Sequence, residues 1–190
     1  MLLQYLPNSL TVTRLLLALP LGVLILRHEF GWALLVGCIA GVTDALDGFC
    51  ARRLGVLSRL GAALDPIADK VLITVVFLCF AQLGLIPWYL ALVVIARDVI
   101  IVCGALCYHW LIGPFEFAAT RLSKINMFVQ IGFCVLLLVA QVVPSTPSQL
   151  IVGGTALVLF TAGVSGFDYV LSWTLKAAQY RKDDDQRYGR

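Results

Sequence analysis

Asp44-Ala-Leu-Asp47-Gly48-Phe-Cys-Ala51-Arg52, then eight residues, then Gly61-Ala-Ala-Leu-Asp65-Pro-Ile-Ala-Asp69, is the stretch on which this chain turns. It places four carboxylates within 26 residues of a sequence that is 61% hydrophobic and only 13% charged. A carboxylate at membrane depth is costly, so by default it marks a functional site. Asp44 and Asp47 are spaced i, i+3, and Gly48 and Ala51 continue that helical face. Asp65 and Asp69 are spaced i, i+4, with Gly61 one turn earlier. An antiparallel helix pair can therefore gather all four acids. His28 and His109 lie far away in sequence, so the donors are oxygens, which suit Mg²⁺ or Mn²⁺ and not zinc. Gly48, Ala51 and Gly61 are small enough to let a ligand approach the helix backbones, and Arg52 can pair with phosphate oxygens.

Outward from this stretch the chain is apolar nearly throughout. Its 190 residues suit one domain, and a mean hydropathy of +0.94 places it in the membrane class. Six spans are expected, roughly 9–27, 31–51, 61–82, 87–110, 121–141 and 150–175. Arg27-His28-Glu29, Arg52-Arg53, Gly84 with Pro87, Gly113-Pro114 and Pro144-Ser-Thr-Pro147 supply the breaks. The fold expected is all-α, an integral membrane domain over residues 1–180 followed by a charged, frayed tail over 181–190. No basic region precedes the first apolar run and no small-residue cleavage site follows it, so it reads as a membrane helix and not as a signal peptide.

Lysine and arginine cluster in alternate connections. Arg52, Arg53 and Arg59 fall in one, Arg121 and Lys124 in another, and Lys176, Arg181, Lys182, Arg187 and Arg190 at the end. Arg27 is the basic residue on the opposite side. Both termini and the aspartate stretch are thus expected to face the cytoplasm, as in a bacterial inner-membrane protein. Trp32, Trp88, Trp110 and Trp173 near the span ends read as interface anchors. A net charge of +3 gives no support to nucleic-acid binding. The six cysteines form no C-x-x-C pair and read as small apolar residues.

The stretch 44–69 resembles, at every fixed position, the signature of the CDP-alcohol phosphatidyltransferases: D-x2-D-G-x2-A-R-x8-G-x3-D-x3-D. Pro7-Asn8-Ser9-Leu10-Thr11 with Arg14 is similar to that family's opening segment. Asp65-Pro66-Ile67-Ala68-Asp69-Lys70 resembles the branch that makes phosphatidylglycerol phosphate and cardiolipin. The resemblance implies an enzyme of phospholipid biosynthesis, a homodimer among membrane lipids, that uses CDP-diacylglycerol and an anionic glycerol-type acceptor. It implies two metal ions on Asp44, Asp47, Asp65 and Asp69, with Asp69 also the general base. The CDP group would lie along Asp44, Asp47, Gly48, Ala51, Arg52, Gly61 and Asp65.

Arg97, inside an apolar span, and Lys124, with Arg121, resemble positions that hold an acceptor's phosphate. Arg97 is followed by Asp98, which can partly neutralise it. Arg97-Asp98 and Arg121-Leu-Ser-Lys-Ile-Asn126 are most similar to eukaryotic-type cardiolipin synthases, which use phosphatidylglycerol. The alternative is glycerol 3-phosphate, giving phosphatidylglycerol phosphate, whose synthases usually carry Arg-Glu here and a further cation where this chain has Ala105. Asp168, in the last apolar span, is open to either a structural or a lipid-groove role. A rival of another class is a small ion-coupled transporter. A transporter would set its acids near the midplane at broken helices, whereas these lie beside an arginine-rich connection. The rival in which the acids only cross-link helices, through Arg52, Arg53 and Lys70, leaves the small residues between them unexplained.

Overall fold

In the computed structural model the backbone is described over residues 6–54, 59–112 and 121–188, and the side chains over 16–42, 70–104 and 121–172. Among the described residues the regular secondary structure is all helix: α1 (Leu6–Leu26), α2 (Phe30–Leu54), α3 (Arg59–Gln82), α4 (Trp88–Ile112), α5 (Arg121–Val142) and α6 (Ser148–Tyr188). The six expected spans correspond one to one with these helices. The Gly113-Pro114 break lies outside the described residues, and α4 stops just before it.

The helix ends follow from local chemistry. At the end of α3, Gly84 has φ +71°. Gly84 N–H donates to Ala81 O at 3.1 Å and Leu85 N–H to Phe80 O at 2.9 Å. These two bonds satisfy carbonyls that the helix end would otherwise leave bare. His28 does the same after α1, with φ 61°, even though it carries a side chain. His28 N–H donates to Ile25 O and Glu29 N–H to Leu24 O. The turns after α1, α3 and α5 are short, so each of these helices packs antiparallel against its successor.

α6 departs from expectation. It runs 41 residues, about 60 Å at 1.5 Å per residue, and continues to Tyr188, inside the segment read as a frayed tail. Hydropathy locates where a helix leaves lipid, not where it stops being a helix. The segment Lys176-Ala-Ala-Gln-Tyr-Arg-Lys182 is made largely of good helix formers.

α1 packs along α3 and α2, while α5 packs along α6 and α2, and α4 contacts both α3 and α6. Phe77, Phe80, Ile25, Leu90, Val94, Leu137 and Val158 are fully buried between them. Gly22 lets α1 close on α3: a Cβ there would stand 3.0 Å from Val75 Cγ1. Large apolar side chains also cover the outside, with Phe128 77%, Phe160 69% and Phe167 67% exposed. The interior, in contrast, holds Arg97, Asp98, Asn126, Gln130 and Ser165. An apolar exterior around a partly polar interior suits lipid as the solvent. α5 over 121–142 and α6 over 148–172 are each long and apolar enough to cross a membrane. Trp32 and Trp88 are exposed at the starts of α2 and α4, as interface anchors would be. Trp110 and Trp173 lie outside the described side chains. Cys79 and Cys134 are buried and Cys38 and Cys103 exposed, all as free thiols.

Candidate functional site

Asp44, Asp47, Gly48, Ala51 and Arg52 lie in the C-terminal part of α2, and Gly61, Asp65 and Asp69 in the N-terminal part of α3. Each set keeps the helical spacing read from the sequence. The two helices follow one another across residues 55–58, which lie outside the described residues, as do the side chains of 43–69. Of the four carboxylates the structure describes only their backbone positions, on two consecutive helices. The described side chains begin at Lys70, the residue after Asp69.

Lys70 opens a polar cluster that spans four helices. Its Nζ donates to Asp98 Oδ1 on α4 at 3.1 Å. Arg97 Nη1 donates to the same oxygen at 2.5 Å. Arg97 Nη2 donates to Ser123 Oγ on α5 at 2.9 Å and also to Ser165 Oγ on α6. One guanidinium thus ties α4 to α5 and α6, and one carboxylate ties α4 to α3. Arg97 and Asp98 are each 7% exposed and Ser165 is fully buried. A buried guanidinium persists only when its donors are matched, yet Arg97 Nε has no partner. Gly166 supports this packing: a Cβ there would already be in contact with Arg97 Cγ at 3.6 Å.

A second polar group lies on the same α5/α6 seam. Thr161 Oγ1 donates to Asn126 Oδ1 at 3.1 Å. Asn126 and Gln130 are buried, and their amide nitrogens, Nδ2 and Nε2, lack partners. Asn126, Gln130 and Ser123 share one side of α5, at i, i+4 and i, i−3 spacing.

The expected acceptor residues divide. Arg97 is buried at the centre of the cluster, and its pairing with Asp98 is present as read from the sequence. Arg121 and Lys124 are exposed, in the same turn of α5 as Ser123. Asp168 is partly exposed, one turn from Ser165. Sequence reasoning passed over Lys70, Ser123 and Ser165 as members of one cluster with Arg97. The available signal was a serine inside an apolar run and a lysine beside an intramembrane acid.

Comparison with known proteins bears on this arrangement. The family model described as CDP-alcohol phosphatidyltransferase matches residues 4–165, which include the aspartate stretch, Arg97 and Ser165. The chain is 36% identical over 179 residues to a rat (Rattus norvegicus) protein named cardiolipin synthase (CMP-forming), covering 86% of this chain and 59% of that protein. It is 34% identical over 193 residues to the human (Homo sapiens) protein of the same name, covering 93% of this chain and 64% of that protein. A Streptomyces coelicolor protein, also of that name, is 41% identical over 112 residues, covering 54% of this chain and 52% of that protein. The chain thus spans roughly three-fifths of the length of the first two relatives. With the family model matched over most of the chain and the signature acids on consecutive helices, this chain belongs to the CDP-alcohol phosphatidyltransferase family.

Proposed function

We propose that the chain transfers a phosphatidyl group from CDP-diacylglycerol to the free hydroxyl of phosphatidylglycerol, giving cardiolipin and CMP, in a reaction that needs a divalent metal. The observation that carries this reading is the continuity of two sites. Lys70, directly after the last signature aspartate, binds Asp98, and Asp98 binds Arg97. In this reading the nucleotide site, ending at Asp69, and the cationic acceptor site around Arg97 adjoin through Lys70. The names of the rat and human relatives support the choice of acceptor.

The donor set fits Mg²⁺ or Mn²⁺: Asp44 and Asp47 near the end of α2, and Asp65 and Asp69 near the start of α3, carry hard oxygen donors. They would hold two ions, which when bound neutralise the pyrophosphate and stabilise the CMP leaving group. Gly48, Ala51 and Gly61 leave room for the nucleotide beside the helices, and Arg52 pairs with its phosphates. Asp69 takes the proton of the acceptor hydroxyl. That oxygen forms the new bond to the lipid-side phosphorus as the bond to CMP breaks. Arg97, with Arg121 and Lys124, holds the acceptor's phosphate.

In this reading all six helices cross the bilayer and both termini are cytoplasmic. The signature acids open to the cytoplasmic side of the cell membrane, where the soluble CMP product leaves. The active unit is a homodimer. Glycerol 3-phosphate is the second reading for the acceptor, because the exposed Arg121 and Lys124 could supply further cations near Ser123.

The reaction class is tested with purified protein, CDP-diacylglycerol and phosphatidylglycerol by following CMP. Excess EDTA should abolish release, and Mg²⁺ or Mn²⁺ should restore it. Full turnover in excess chelator contradicts the metal-dependent chemistry.

A further inference from the structure

Asn126 and Gln130 stand one helical turn apart on α5 and are 1% and 3% exposed. Asn126 Nδ2 and Gln130 Nε2 have no hydrogen-bond partner. A carboxamide nitrogen carries two N–H donors. Thr161 Oγ1, 3.1 Å from Asn126 Oδ1, also lies 2.9 Å from Leu157 O on its own helix. When the single hydroxyl proton goes to Leu157 O, the Asn126 amide can turn and give one N–H to Thr161 Oγ1, and the other N–H stays open. Either orientation therefore leaves a donor on Asn126 beside that of Gln130. A buried donor without a match is costly, so two on one helix face make a place for an acceptor oxygen. Both amides are neutral, and the bundle beyond them is apolar, with Phe133, Leu137 and Val158 buried. An ion would be uncompensated at that depth, whereas a neutral carbonyl oxygen would not.

We infer that Asn126 and Gln130 are acceptor-binding residues: their open amide N–H groups hold an ester carbonyl of the acceptor lipid, inward of the phosphate held by Arg97, Arg121 and Lys124. The inference rests on the lipid acceptor proposed above. Spacing along α5 supports it. Ser123 binds Arg97, and Asn126 and Gln130 follow three and seven residues later, about 4–10 Å at 1.5 Å per residue. The interfacial layer between headgroup and hydrocarbon is about 5–7 Å thick on each side of a bilayer. A phospholipid whose phosphate meets Arg97 thus brings its ester carbonyls to the level of these two amides, while its headgroup glycerol stays near Asp69. Both nitrogens are enclosed by their neighbours, so their flexible side chains turn towards the carbonyl as the lipid enters the α5–α6 seam. The contact recognises a part of the acceptor that a soluble glycerol phosphate does not have.

The test uses the full chain in phosphatidylcholine nanodiscs, with phosphatidylglycerol whose chains are joined by ester or by ether bonds. An ether keeps the chain but lacks the carbonyl. The readout is the ratio of kcat/KM for cardiolipin formation, ester to ether acceptor, with CDP-diacylglycerol as donor. Wild type should favour the ester acceptor about fivefold or more, as the loss of one or two hydrogen bonds implies. Gln130→Met and Asn126→Leu keep side-chain volume and remove the donors, and each should bring the ratio towards one. A packing defect lowers both acceptors alike and leaves the ratio where it was. A parallel series fixes the acceptor and changes the CDP-lipid from ester to ether, and its ratio should respond to neither variant. A response confined to this second series would give the amides to the donor lipid and overturn the acceptor assignment. Equal use of ester and ether acceptors by wild type, or a preference that survives both substitutions, would overturn the inference alone, since cardiolipin is still made. A wild-type enzyme that makes no cardiolipin from phosphatidylglycerol would overturn the proposed acceptor as well.

Discussion

Asp69 and Lys70 are neighbours in sequence with opposite tasks: in the proposed reaction one takes a proton and the other anchors the acceptor cluster to α3. Their adjacency means that a change at either is felt at both sites, so the tests must separate binding from chemistry. Asp47→Asn removes metal charge beside the pyrophosphate and should abolish CDP-diacylglycerol binding. Asp69→Asn should keep more of that binding but lose turnover by about a thousandfold, on the order of 4 kcal/mol. Ligand binding measured beside single-turnover CMP release distinguishes the two, and near-normal turnover by Asp69→Asn would remove it as the base. Arg97→Ala should raise the KM for the acceptor far more than that for the CDP-lipid. At this scale the sequence was partly legible. The four acids and Arg97 stand out because charge is rare in an apolar chain. Ser165 and Ser123 do not stand out. They lie 68 and 26 residues from Arg97 in sequence, and only helix packing joins them to it.

Helix contacts depend on a few residues with no side chain. Gly154 on α6 sits against the Phe133 ring of α5: a Cβ at 154 would fall 2.6 Å from Phe133 Cδ2. Phe133 is 3% exposed and its ring centroid is 6.2 Å from that of Phe77, so it has little room to yield. Gly154→Ala should destabilise the α5–α6 pair by about 1–3 kcal/mol, read as an earlier thermal unfolding transition in detergent. Gly84→Ala meets no atom within 4 Å but forces a side chain into a left-handed turn, and should cost about 1–2 kcal/mol through the backbone alone. An unchanged transition for Gly154→Ala would mean that α5 and α6 are packed more loosely than described. The helix boundaries were readable because Gly, Pro and charge interrupt each apolar run. Close approach at Gly154 was not, since a lone glycine in an apolar helix carries no sign of which neighbour it faces.

For the whole molecule, the proposed topology puts both termini and the signature acids on the cytoplasmic side. In a background lacking the native cysteines, Gln82→Cys and Ser145→Cys should react with an impermeant thiol reagent from outside intact cells. Val56→Cys should react only after the membrane is opened. The reverse pattern would turn the signature acids away from the cytoplasm. The long helix α6, which projects its charged end beyond the apolar span, was the least legible element, because sequence hydropathy reports lipid contact and not helix length.

The most direct measurement of the central claim offers the purified protein CDP-diacylglycerol with phosphatidylglycerol and glycerol 3-phosphate together, and identifies the lipid formed as CMP is released. The account predicts cardiolipin as the main product. Phosphatidylglycerol phosphate formed in large excess would contradict it.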